Sequence, residues 1–258
     1  QLSSGTGIKS NPAFRLHAEK ERNLNNPRLP TSLSIMVNLG DVIPDFSAKT
    51  TQGDIKFHEW VGDSWCILFS HPNAFTPVCT TELGRVAQLV PEFQSRNVKV
   101  IGCSCDAVPV QDKWIEDISS YAELPAMDFP FPIIADESRS LAVTLGMIDP
   151  EEKDKDGLPV TCRAVFVIDP SKKLRLLILY PATTGRNFDE LLRVVESLQL
   201  TDAKKVATPS DWKSGDPVMI QPSVTDEEAK ELFPLGFTTT KVPSGKGYIR
   251  LTPQPQLD

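Results

Sequence analysis

Apolar positions along this chain follow two rhythms that alternate from about residue 40 to about residue 200. Strand-like runs occur at 55–60 (IKFHEW), 65–70 (WCILFS), 98–105 (VKVIGCSC), 131–136 (FPIIAD), 162–169 (CRAVFVID) and 174–181 (LRLLILYP). Between and after them the spacing changes to that of one-sided helices. These are predicted over 77–96, with Leu83, Val86, Val90 and Phe93 on one face; over about 110–122; over 137–145; and over 187–199, with Phe188, Leu191, Leu192, Val195 and Leu198 on one face. Strands that are apolar almost throughout must be covered on both sides, so the fold class is α/β. The last two strands, joined by DPSKK, read as an antiparallel hairpin, which makes the central sheet mixed.

Both ends of the chain break this pattern. Residues 1–35 are rich in Ser, Asn, Pro and Leu, carry five basic against two acidic residues, and show no sustained period. They read as a flexible extension, either a native leader or a remnant of expression. A mitochondrial leader is an alternative, weakened by Glu19 and Glu21. Residues 36–204 form the main domain on this reading. Residues 205–258 are punctuated by Pro and Gly, with one short helix at DEEAKELF, and read as an accessory domain too small to be stable without packing on something.

Composition narrows the function classes. At 258 residues the chain is long enough for a core without covalent staples, and its 24% charged and 40% hydrophobic content is that of a globular protein. No apolar run reaches the roughly 20 residues of a membrane span. A net charge of −7, with no clustering of Lys and Arg, argues against nucleic-acid binding. The five cysteines (Cys66, Cys79, Cys103, Cys105 and Cys162) lack framework spacing, which points to free thiols in a reducing, cytoplasmic compartment. No metal site is expected: there is no CxxC pair, and His17, His58 and His71 are not spaced as ligands. Cys66, Cys103 and Cys105 sit in strand-like runs and read as core; the same reading is preferred for Cys162.

Cys79, in HPNAFTPVCTTE, is different. Thr76 followed by Pro77 is a helix-start signal, with Thr as N-cap and Pro at the first helical position, which places Cys79 in the first turn. Unpaired amides and the positive end of the helix dipole favour an anion there, and so a thiolate over a thiol. Spacing alone also allows a cysteine that merely begins a helix.

Pro72, Thr76 and Cys79 match the PxxxTxxC signature of peroxiredoxins, and the flanks HPNAFTPVCTTELGR resemble the one-cysteine branch of that family. The similarity extends to LGDVIPDF, GDSWCILFSHP, TCRAVFVIDP, LYPATTGRNFDELLRVVESLQLT, ATPSDWKSGD and PSGKGYIRLTPQP, and so covers nearly everything from Met36 onward. The resemblance implies a thioredoxin-like fold and a peroxidase whose cysteine thiolate attacks a hydroperoxide and becomes a sulfenic acid. By motif match Arg163 is the cation that holds the thiolate, Thr76 offers its hydroxyl to thiolate and peroxide, and Pro72 shields the pocket. The same resemblance implies that His71 lies near the sulfur and that Glu82 and Arg186 orient Arg163. Read without the family, Arg163 is a solvated strand end, Thr76 an ordinary cap accepting from the Cys79 amide, Pro72 a turn proline, His71 a surface group, Glu82 an N-terminal helix acid and Arg186 a surface charge.

The 96 residues after Cys162 contain no cysteine, so the C-terminal resolving thiol of two-cysteine relatives is absent. The resemblance then implies no prosthetic cofactor, an external thiol reductant such as glutathione, with a glutathione transferase as its candidate carrier, and a homodimer in which the tail reaches across the partner. It also raises a phospholipase A2-like activity through Ser64 and His58. The GxSxG elbow is broken by Cys66, however, and Ser171 stands at the position of the acidic member, with Asp169 two residues away. A non-enzymatic role as chaperone or redox relay would use the same sulfenic chemistry.

Overall fold

A computed structural model describes residues 37–125 and 129–257. Its centre is β3 (Trp65–Ser70), every residue of which is buried. Alternation sorts these side chains cleanly. Trp65, Ile67 and Phe69 enter one apolar cluster, and Cys66 and Leu68 the other, on the opposite face of the sheet. β4 (Val98–Ser104) and β5 (Ile133–Ala135) continue the sheet in parallel on one side of β3. On the other side β8 (Arg163–Ile168) and β9 (Leu174–Tyr180) run antiparallel. With β1 (Ser47–Thr50) and β2 (Gly53–Lys56) beyond β5, the strand order is β2-β1-β5-β4-β3-β8-β9. The mixed α/β sheet and its terminal hairpin agree with the sequence reading.

Three helices close the first face: α2 (Pro77–Ser95), α3 (Val108–Tyr121) and α5 (Phe188–Ala203), all contributing to the cluster that contains Cys79. α1 (Phe57–Val61) and α4 (Ser140–Thr144) pack on the other. Gly84 lets α2 approach α3, since a Cβ placed there would lie 2.9 Å from the Ala122 Cβ. A separate ribbon of β6 (Ile148–Lys153) and β7 (Pro159–Thr161) precedes β8.

The structure corrects two local expectations. The run 55–60 is not one strand: β2 ends at Lys56, and Phe57 and Val61, four residues apart, bury one side of a single helical turn. Gly62 (φ 57°) ends that turn. The C-terminal segment is not a tail with one helix. β10 (Val206–Ala207), β11 (Val218–Ile220), β12 (Thr238–Thr239) and β13 (Arg250–Thr252) form an antiparallel sheet in the order β10-β11-β13-β12. α6 (Asp226–Leu232) is held by a capping box between Thr225 and Glu228. Trp212, Val218, Ile220 and Phe233 make its core.

Candidate active site

Three chain segments converge at the end of β3. The strand exits through His71 and the buried Pro72 into a tight loop, where the Ala74 amide donates to Asp106 Oδ2 at 2.8 Å and Phe75 takes a left-handed φ of 55°. The loop delivers Thr76 as N-cap and Pro77 as first residue of α2, so Cys79 is the third residue of the helix, as the sequence predicts. The second segment is the start of β8. Because side chains alternate along it, Arg163 shares a face with Val165 and Val167 and points toward α2. Ser70 holds this strand start in place: its hydroxyl donates to the Cys162 carbonyl at 2.7 Å and accepts the Ala164 amide at 3.0 Å. The third segment is the loop before α5, which carries Arg186 and where the Asn187 side chain caps the helix.

These segments assemble a buried charged cluster. Arg163 Nη1 donates to Cys79 Sγ at 3.3 Å and to Glu82 Oε2 at 2.7 Å, while Nε and Nη2 both donate to the Ala182 carbonyl, at 2.9 and 2.5 Å. Glu82 also accepts the Arg186 amide (2.7 Å), Nε (2.9 Å) and Nη2 (2.7 Å). Arg186 Nη1 donates to the Ala164 carbonyl at 2.7 Å, and its guanidinium stacks between Phe69 and Phe188. Cys79, Glu82, Arg163 and Arg186 are all buried. The solvated, surface readings of Arg163 and Arg186 are therefore wrong.

The charge count of this cluster determines its chemistry. Two guanidinium groups face one carboxylate, which among the described residues leaves one buried positive charge without a carboxylate partner. Buried charges are costly unless paired, and the side chain that lies against the remainder is Cys79, whose sulfur accepts from Arg163. At the other cysteines burial outweighs any nearby cation, including Lys99 near Cys66, Arg139 near Cys105 and Arg186 near Cys162. Burial pushes the thiols of Cys66, Cys103 and Cys162 up, and that of Cys105 to about 11. All five cysteines are free, but Cys105 lies just past the end of β4 and is only partly buried, against its reading as core.

His71 is fully buried, which contradicts the surface alternative. Its backbone is satisfied by the Cys103 carbonyl and the Thr161 hydroxyl, yet neither ring nitrogen has a hydrogen-bond partner among the described residues. Burial, reinforced by Arg186 and Arg163, pushes its pKa down to about 3, so the imidazole is neutral at physiological pH. Thr76 occupies the cap position without capping: its hydroxyl donates to the Asn73 carbonyl at 2.9 Å rather than engaging the helix amides or Cys79. The tight Asn73–Thr76 turn takes up the hydroxyl proton. The sequence reading missed Trp114 and Thr80, which meet beside Cys79, because an internal helix Trp and a second Thr carry no motif signal.

Ser64 and His58 are not brought together as nucleophile and base. The Ser64 hydroxyl donates to Asn97 Oδ1 at 2.8 Å, and His58 Nε2 pairs with the Ile43 carbonyl at 2.7 Å, so that nitrogen carries the proton. Asp169 is engaged by Arg175 and the Lys173 amide.

A cysteine at a helix N-terminus, balanced by a buried arginine at the end of a mixed, helix-covered sheet, defines a thiol-dependent peroxidase on a thioredoxin-like scaffold. The AhpC/TSA family model matches residues 39–177, and the model for the C-terminal domain of 1-Cys peroxiredoxin matches residues 197–234. The chain belongs to the AhpC/TSA family, as a one-cysteine peroxiredoxin. It is similar to peroxiredoxin-6 of Gallus gallus, at 64% identity over 84% of this chain and 98% of that one. Among solved structures, a cysteine-to-serine mutant of the peroxiredoxin 6 of Arenicola marina superposes with a TM-score of 0.83 at 58% identity, covering 86% of this chain and 100% of that one. A yeast mitochondrial 1-Cys peroxiredoxin, described by a thiol resolving mechanism via glutathione/thioredoxin systems, gives 0.76 at 45% identity over 84% and 100%.

Proposed function

We propose that peroxide reduction runs through Cys79 alone and that an external thiol, glutathione, restores it. The thiolate attacks the terminal oxygen of a hydroperoxide; the S–O bond forms as the O–O bond breaks, and alkoxide or hydroxide leaves and takes up a proton. Four of the five Arg163 N–H groups are engaged by Ala182, Glu82 and Cys79, and the fifth, on Nη2, is the donor available to the peroxide. His71, neutral and without a protein partner at its ring among the described residues, offers one N–H and one lone pair to the oxidised sulfur. Pro72 closes the pocket beside it, and Glu82 and Arg186 hold Arg163 in register.

The sulfenic acid is then attacked by one glutathione, releasing water and forming a mixed disulfide. A second glutathione displaces Cys79 as thiolate and leaves as the oxidised dimer. The sulfur itself carries the oxygen, so the cycle needs no prosthetic group. The yeast relative supports the reductant assignment. Delivery of glutathione by a glutathione transferase is a further part of the proposal.

Assembly is proposed as a homodimer through β9. This strand ends the sheet; residues 40–43 pair only with its beginning, and Leu179 further along is half exposed. An open edge of this kind is a template for pairing with a second copy. No helix among the described residues is long and apolar enough to cross a membrane. Free thiols at all five cysteines fit a reducing compartment, and the cytoplasm is the proposed one.

The observation that carries this reading is the 3.3 Å contact between Arg163 and Cys79 inside a cluster otherwise one negative charge short. Its test is glutathione-dependent peroxide consumption by Cys79→Ser, which should vanish while the far-UV spectrum and unfolding midpoint stay close to those of the parent. Retained turnover in that variant would remove Cys79 from the mechanism.

A further inference from the structure

We propose that Trp114 is a positioning residue for Cys79, acting through Thr80; this rests on Cys79 being the peroxide-reactive sulfur. Trp114 is fully buried in α3, and its indole Nε1–H donates to Thr80 Oγ1 at 3.0 Å. Thr80 is the residue after Cys79. Its own hydroxyl proton goes to the Thr76 carbonyl at 2.8 Å, and that carbonyl also accepts the Thr80 amide at 3.0 Å. With the indole occupying its acceptor side, the Thr80 hydroxyl keeps its proton on Thr76. Both ends of the turn that carries Cys79 are thereby tied to α3.

The tie matters because this helix start lacks the usual one. Helix ends leave amides unpaired and tend to fray, and a capping side chain normally holds the first turn. At Thr76 no side-chain cap is made: the hydroxyl is turned toward Asn73, to whose carbonyl it donates. The indole-to-hydroxyl bond replaces it from outside the helix. The same ring packs on His71 (centroids 5.1 Å apart) and reaches toward Phe75 (6.5 Å), so one side chain touches both segments that bracket Pro72. α3 is a firm anchor, since it meets α2 at the Gly84–Ala122 approach. A displacement of about 1 Å at a reacting centre can cost a hundredfold in rate, so a turn set against Arg163 at 3.3 Å leaves little slack.

The test uses the full chain with hydrogen peroxide as probe. The second-order rate of Cys79 oxidation is measured by rapid quench and mass spectrometry for Trp114→Phe, Thr80→Val, the double variant and Thr80→Ser. Alkylation of the buried Cys66 and Cys103 is followed in parallel. Oxidation of Cys79 should be about tenfold slower in each of the first two, with no further loss in the double variant and a rate near the parent's for Thr80→Ser, while Cys66 and Cys103 stay closed. Rates within about threefold of the parent, losses that multiply in the double variant, or slowing accompanied by opening of Cys66 and Cys103 would each overturn it. Should Trp114→Phe fail to fold, the contrast between Thr80→Val and Thr80→Ser decides alone. Oxygen arriving on another cysteine would overturn both this proposal and the reading of Cys79.

Discussion

Replacing Arg163 by Met tests how the buried charges are shared. Methionine keeps much of the side-chain length and removes the charge and all five donors. The substitution leaves Glu82 and Arg186 as a one-to-one ion pair with three hydrogen bonds between them, so the remaining charges balance, although the Ala182 carbonyl loses its two donors from Arg163. A thiolate at Cys79 would then be the unbalanced charge. Two unit charges 3.3 Å apart interact by about 5 kcal/mol at an effective dielectric of about 20, which bounds the loss from above. Part of that attraction is kept in the parent's transition state, where negative charge spreads from sulfur to the departing oxygen and still faces the guanidinium. Loss of a donor aimed at such developing charge costs about a hundred- to a thousandfold in rate, or about 3–4 kcal/mol.

The assay is the single-turnover rate of Cys79 oxidation by hydrogen peroxide, with the urea unfolding midpoint measured on the same preparation. Arg163→Met is expected to react a hundred- to a thousandfold more slowly while remaining folded. Arg163→Lys should recover little of this, because one ammonium cannot satisfy Ala182, Glu82 and Cys79 with the geometry of the guanidinium fork. A folded Arg163→Met variant reacting within about threefold of the parent would refute the charge-balance argument.

Two further predictions concern stability. In Gly84→Ala the new methyl would sit 2.9 Å from the Ala122 Cβ, and overpacking of this kind costs about 1–3 kcal/mol. The helix-propensity gain of about 1 kcal/mol offsets only part of it, so the denaturation midpoint should fall; a rise would show that α2 and α3 can separate freely. For His71, the folded protein keeps the ring neutral down to about pH 3, whereas in the unfolded chain it takes a proton near 6.5. Between those values the unfolded state binds the extra proton, so stability falls as pH falls, by up to about 1.4 kcal/mol per unit from this group. His71→Phe should flatten the acid limb of the stability profile over that window, and identical slopes for the two proteins would contradict it.

The sheet and the place of Cys79 in the first turn of α2 were legible in the sequence because their signals are local or strictly periodic, whereas Arg163, Glu82, Arg186 and His71 were reached only through the family resemblance. β3 and β8 are apolar but for Ser70 and Arg163, α2 announces itself by Thr76-Pro77, and the parity of β8 turns Arg163 inward once its register is known. What stayed hidden depends on contacts between distant segments. The strands β10 to β13 are two or three residues long, too short for alternation to register, and exist only because they pair. IKFHEW satisfies a strand rhythm and a one-turn helix equally well, and the packing of Phe57 and Val61 decides. The Thr76 side chain went to Asn73 because a tight turn competes with the helix for its hydroxyl. The role assigned to Trp114 has no sequence signature, since it consists of one hydrogen bond between two helices.

The most direct measurement is mass spectrometry of the protein after one equivalent of hydrogen peroxide, followed by glutathione. A single added oxygen is expected on Cys79, with no disulfide to Cys66, Cys103, Cys105 or Cys162, and then one glutathione attached to Cys79 and released by a second. Oxygen appearing first on any other sulfur, or an intramolecular disulfide at Cys79, would contradict a one-thiol cycle.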